Sequence, residues 1–162
     1  MTRVVPMIAY EDGNAAMDWL IKAFGFVEAD RRLGADARLT HGELGAGDGL
    51  IMLATPTPDY QGPKHHRETC DAAAKWSRVP YIIDGVLVEF DDVDAHCERA
   101  RAAGALILSE PETTPVGRGY RVEDIDGHRW MFAGKAGGQL PSPNQRRSIR
   151  PRSCVSATKQ PG

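Results

Sequence analysis

Apolar and polar positions along the chain run through the same order of periods twice. Between Gly85 and Phe132, the run Val86-Leu87-Val88-Glu89-Phe90 meets Asp91-Asp92, a helical pattern follows to Gly104, and strand patterns continue until Asp126-Gly127 introduces Trp130-Met131-Phe132. A fainter copy spans Pro6 to Leu53. There Met7-Ile8-Ala9-Tyr10 meets Glu11-Asp12, a helical pattern ends at Gly25, and Gly47-Asp48-Gly49 introduces Leu50-Ile51-Met52-Leu53. The spacings from the aspartate to the first glycine, and from there to the second glycine, agree between copies to within one residue. Such self-similarity implies a duplicated module.

In the first copy Arg3 to Tyr10 reads as extended, with Pro6 suited to a strand edge or start. Asn14 is the expected N-cap, Ala16, Trp19, Leu20, Ala23 and Phe24 share one helical face, and Gly25 suits a left-handed C-terminal position. Phe26–Arg32 and Ala37–Leu44 read as strands around Gly34-Ala35-Asp36. Gly45 to Gly49 is taken as a hairpin turn, because a strand and not a helix follows it, and Leu50–Ala54 is the next strand. Residues 56–78 form a connection rich in Pro, His and charge, of a length that implies a lid or a disordered excursion. The second copy, about 79–135, opens with Val79 to Phe90. Its helix starts after Asp91 or Asp92, turns Val93, Cys97, Ala100 and Ala103 inward and His96 outward, and ends at Gly104. Ala105–Ser109, Gly119–Glu123 and His128–Ala133 follow as strands. The expectation is an α+β fold, a single domain over 1–136, in which two βαβββ modules (about 3–55 and 79–135) pair into an eight-stranded curved mixed sheet around a cup.

Composition removes several alternatives. No apolar run approaches the roughly 20 residues that cross a bilayer, and the N-terminus lacks a signal-peptide pattern, so a cytoplasmic protein is expected. Cys70, Cys97 and Cys154 have no paired spacing, which predicts reduced thiols. Five of the 20 basic residues lie in 137–162 with no acid, so the rest of the chain holds 15 against 22 acidic residues, a net −7. An acidic body argues against nucleic-acid binding. The proline-rich basic end at 137–162 reads as a disordered tail.

The segments Ala16–Phe26, His41–Leu44, Asp92–Ala105 and Gly127–Ala133, with the Asp126-Gly127-x-x-Trp130-x-Phe132 strand, resemble the vicinal oxygen chelate superfamily. This is the group of glyoxalase, bleomycin-resistance and extradiol dioxygenase proteins, and the chain resembles its small PhnB-like members most. The resemblance covers about residues 3–135. It implies metal ligands on the first and last strand of each module, which by counting from the shared glycines fall at or next to Val5, Met52, Gly85 and Met131, with Asp84 the one adjacent residue able to bind a metal. None of the four is a hard donor, so no metal is expected and every reaction that chelates two substrate oxygens is put in doubt. What remains is a cup for a small apolar or aromatic ligand, lined by Met52, Leu87 and Met131. Glu89 and Arg129 share its face by strand alternation and are expected to pair at one end. Tyr120, in preference to Arg121, is expected on the cup wall, with Trp76 and Tyr60 closing from the connection and His41 at its edge. The second reading is a metal-dependent lyase, isomerase or dioxygenase with an unusual divalent-metal set from His41, Glu43, Glu89, His65 and His66. The third is an interaction module without ligand. A homodimer is expected, and no membrane or nucleic-acid partner.

Overall fold

The computed structural model describes residues 3–79, 85–115 and 117–134. The expected strand start over 79–84, apart from Val79, and the expected tail at 137–162 lie outside them. Module 1 runs β1 (Met7–Ala9), α1 (Gly13–Phe24), β2 (Val27–Leu33), β3 (Leu39–Ala46) and β4 (Gly49–Ala54). Two short helices follow, α2 (Pro63–Thr69) and α3 (Asp71–Ser77). Module 2 then repeats the order with β5 (Gly85–Glu89), α4 (Val93–Ala102), β6 (Leu106–Thr114), β7 (Gly117–Glu123) and β8 (Arg129–Ala133). The eight strands form two four-stranded mixed sheets of identical topology, β1-β4-β3-β2 and β5-β8-β7-β6. In each, the first strand lies parallel to the fourth and the other pairs are antiparallel.

The two long helices begin alike. Asp12 and Asp92 each accept the backbone N–H three residues on at 3.0 Å, satisfying a donor that has no partner inside the helix. Asp12 and not the expected Asn14 is therefore the cap of α1, and the Asn14 side chain reaches the Ala37 carbonyl instead. Gly25 and Gly104 both hold positive φ (73° and 87°), where other residues are strained.

Each helix covers one face of its sheet, and the two covered faces share one core. Phe24, at the end of α1, meets Trp130 and Phe132 of β8 with ring centroids 5.5 and 4.8 Å apart, and Phe26 meets Trp130 at 5.6 Å. Each such side chain contributes about 1.5–3 kcal/mol on burial. His96 of α4 joins this core, contrary to the outward position expected of it. It is 3% exposed, and its ring lies between the Phe24 carbonyl (Nε2, 3.0 Å) and the Tyr120 hydroxyl (Nδ1, 2.8 Å). A carbonyl can only accept, so Nε2 donates and the hydroxyl donates to Nδ1, and burial holds the imidazole pKa below its ordinary value.

A polar seam also joins the modules. Buried Asp124 accepts from the Tyr10 hydroxyl at 2.6 Å and the Trp130 indole at 2.9 Å, and His128 Nε2 donates to the Ala9 carbonyl. Burial raises the pKa of the Asp124 carboxyl. The connection, expected as a lid or an excursion, is a helical pair anchored to both ends of this seam. Gly62 N–H donates to Glu11 at 2.7 Å, and Lys64 N–H to the Asp126 carbonyl at 2.8 Å. Pro63 opens α2, where its missing N–H costs nothing.

Candidate functional site

Helix packing leaves one face of each sheet uncovered, and strand alternation decides what stands there. On sheet 2 the uncovered face is inherited by Gly85, Leu87 and Glu89 of β5, Arg129 and Met131 of β8, and Arg121 and Glu123 of β7, paired as Gly85 with Arg129, Leu87 with Met131, Arg121 with Met131 and Glu123 with Arg129. On sheet 1 it holds Met7 of β1, Met52 of β4, Glu43 and His41 of β3 and Asp30 and Arg32 of β2. Met7 pairs with Met52 as Leu87 pairs with Met131. Met7 is 80% and Leu87 54% exposed. Both floors therefore present thioether and aliphatic surface to solvent, with Glu43 beside Met52 where the other floor has Arg121 beside Met131.

Leu87, Glu89, Arg129 and Met131 thus share one floor, and Met52 and His41 share the other. Tyr120 does not belong to either. It is 1% exposed in the helix-side core beneath His96, because the alternation that puts Arg121 on the floor puts its neighbour inside. Arg129 also has a different partner from the one expected. Glu89 lies at the far end of β5, opposite Ala133, and Arg129 instead bonds Glu123 at 2.7 Å. Glu123 in turn takes both Arg67 terminal nitrogens at 2.8 and 2.9 Å, which raises the Arg67 pKa further, and Arg129 Nη2 donates to the Ser77 carbonyl at 2.6 Å. Glu123 and Arg67 were missed by sequence reasoning. Counting outward from the Asp124–His128 turn pairs Glu123 with Arg129 and is the signal that finds the first.

Two hollows adjoin these floors. A cleft of about 880 Å³ is lined by residues that include Phe26, Leu50, Ile51, Leu87 and Glu89. A smaller cavity of about 380 Å³ lies under α2 and α3, among Tyr60, His66, Arg67, Trp76 and Ser77. Trp76 is half exposed at its rim. Neither includes Met52 or Met131.

The described residues offer no donor set that fits the divalent ion of the vicinal oxygen chelate enzymes. Among the described residues no three His, Cys, Asp or Glu side chains come together at coordinating range. The unusual set is not assembled either. His41 meets Glu43 at 3.0 Å on sheet 1, Glu89 stands on sheet 2, and His65 bonds Glu11 beside the seam.

Residues 3–132 match the family model of the Glyoxalase/Bleomycin resistance protein/Dioxygenase superfamily. An uncharacterised protein of Mycobacterium bovis is 32% identical over 132 residues, 78% of this chain and 79% of its own. The crystal structure of TioX from Micromonospora sp. ML1 superposes with a TM-score of 0.61 at 30% identity, over 84% of this chain and all of that one. The bleomycin-binding protein of Streptomyces verticillus, complexed with copper(II)-bleomycin, shares the fold with a TM-score of 0.53 at 19% identity, over 84% of this chain and 98% of its own.

Proposed function

The chain belongs to the Glyoxalase/Bleomycin resistance protein/Dioxygenase superfamily, and within it we propose a cytoplasmic protein that binds a small apolar or aromatic molecule without a metal. The observation that carries this reading is the pair of equivalent methionines. The resemblance, counted from the shared glycines, puts chelating side chains at or next to Met52 and Met131, and each of these has an exposed apolar neighbour, Met7 or Leu87. Thioether and aliphatic groups adapt to flat apolar ligands and offer a hard cation nothing. The bleomycin-binding neighbour gives the fold a precedent for holding a bulky antibiotic.

One floor alone leaves a flat ligand half in water, so the pocket takes two copies of the chain. Module 1 of one copy faces module 2 of its partner, and the reverse pairing closes the dimer by two-fold symmetry. The charges beside the methionines favour this pairing. Unlike floors bring Glu43 opposite Arg121, whereas like floors bring Glu43 against Glu43 and Arg121 against Arg121. Exposed apolar surface on both floors supplies the driving force.

The test is a thermal-shift screen of chelator-treated full-length protein against glycopeptide antibiotics, planar aromatics and glutathione adducts. Stabilisation by the aromatic or antibiotic class is expected. Stoichiometric zinc, nickel, manganese or iron in the purified protein would overturn the metal-free reading, and stabilisation by none of the classes would favour an interaction module.

A further inference from the structure

The duplication gives the modules two equivalent places to meet, and the structure fills them differently. At the first, the end of β1 meets the β7–β8 turn through the polar seam. The Tyr10 hydroxyl donates to Asp124 at 2.6 Å, the Glu11 N–H to Asp126 at 2.8 Å and His128 Nε2 to the Ala9 carbonyl. This place is then covered by the chain that leaves module 1. Beyond β4, Gly62 N–H donates to Glu11 and Lys64 N–H to the Asp126 carbonyl.

At the second place the seam residues have no counterparts. Phe90 occupies the position of Tyr10, since each donates its N–H to the last residue of the neighbouring strand, Ala133 at 2.8 Å or Ala54 at 2.9 Å. Ala46 and Gly49 pair across the β3–β4 turn as Asp124 and His128 do across the β7–β8 turn. A phenyl ring, a methyl group and a glycine cannot build a hydrogen-bonded junction. What stands there is the cleft of about 880 Å³, apolar over Phe26, Ile51 and Val88, acidic at Asp48, Glu89 and Asp91, and without a Lys or Arg in its lining. One wall is β5, an edge strand paired with β8 alone, and native proteins cover or blunt such edges.

The chain that leaves module 2 has the position and the composition to cover it. Gly134 follows β8, and a Cβ on it would lie 3.8 Å from the carbonyl oxygen of Phe90, so the chain departs beside the cleft wall. In module 1 the first docking residue, Gly62, comes eight residues after Ala54 and is followed by Pro63. Eight residues after Ala133 the sequence reads Pro141-Ser142-Pro143, and Arg146 and Arg147 come next. Residues 135–162 carry six Lys and Arg and no acid, opposite in sign to the cleft. We propose that residues 135–147 dock in the cleft of their own chain, with the prolines on its apolar wall and Arg146 and Arg147 at Asp48 and Glu89. Proline rings bring apolar surface without a backbone donor to satisfy, guanidinium groups suit carboxylates, and attachment to the same chain gives the segment a high effective concentration.

Trypsin digestion of the full chain, read by mass spectrometry, tests it. The rate at the Arg147–Ser148 bond is compared with that at Lys159–Gln160 in the same digest, because cleavage follows the population of the undocked form. Combining Asp48→Asn with Glu89→Gln, two exposed positions, is expected to speed the first bond at least about tenfold relative to the second. Raising salt from about 0.05 M to about 1 M is expected to do the same in wild type by screening, which serves if the double variant does not fold. A relative rate that neither the substitutions nor salt changes would overturn the docking. Protection that grows with protein concentration would seat the segment on a second copy and overturn its assignment to its own cleft.

Discussion

The two modules have one backbone plan and two different floors. Sheet order, parallel first and fourth strands, aspartate caps and a methionine at the equivalent position of the last strand, Met52 or Met131, are common to both. Yet Glu123 and Arg129 of module 2, sealed under α2 and α3, correspond by register to Gly45 and Leu50 in module 1, where nothing is charged. Arg67 and Ser77 come from the connection, so the connection is the element that makes the halves unequal. A duplicated fold keeps what its backbone needs and differentiates on the face its helix does not cover.

Two substitutions sharpen this contrast. Glu123→Gln removes the carboxylate that Arg67 and Arg129 share and should cost about 3–5 kcal/mol in urea unfolding. Its counterpart Leu50→Ala, on a half-buried position without charge, should cost under about 1 kcal/mol. Comparable losses would mean that the roofed floor is no more demanding than the bare one.

His96 tests the shared core. Its folded pKa is lowered by burial, so near and below pH 6.5 the unfolded chain takes up a proton that the folded protein resists. The stability it contributes is present above the ordinary histidine pKa and is lost as pH falls through the folded value. His96→Gln, which keeps one donor and one acceptor, should flatten unfolding free energy between pH 7 and 5 relative to wild type. An unchanged slope would place the acid sensitivity elsewhere.

The smallest effects concern what the modules have in common. Asp12→Ala and Asp92→Ala should each cost about 0.5–2 kcal/mol by thermal unfolding, and by similar amounts. A cap that matters in only one module would break the equivalence of the halves.

Much of this plan was legible in the sequence because it rests on periodicity. The repeat, the strand order and the shared face of Leu87, Glu89, Arg129 and Met131 follow from glycine spacing and alternation. Tyr120 was misplaced because alternation leaves open which of two neighbours faces inward, and the deciding partner, His96, sits on another element. The Arg129 pairing was misassigned because parity along β5 and β8 ignores β7, which register brings alongside. The helices at 63–77 were hidden because proline, histidine and charge look like loop, and their docking depends on distant groups at Glu11, Glu123 and Asp126.

The central claim is that a ligand pocket is shared between unlike modules of two copies, and subunit complementation tests it most directly. Met52→Glu and Met131→Glu, each purified alone, should lose binding of the ligand class found in the screen. Mixed and allowed to exchange, they should regain about a quarter of the wild-type sites, because half the dimers are mixed and each holds one undamaged pocket. Mixed dimers that form and yet bind nothing would place the pocket within a single chain and contradict the account.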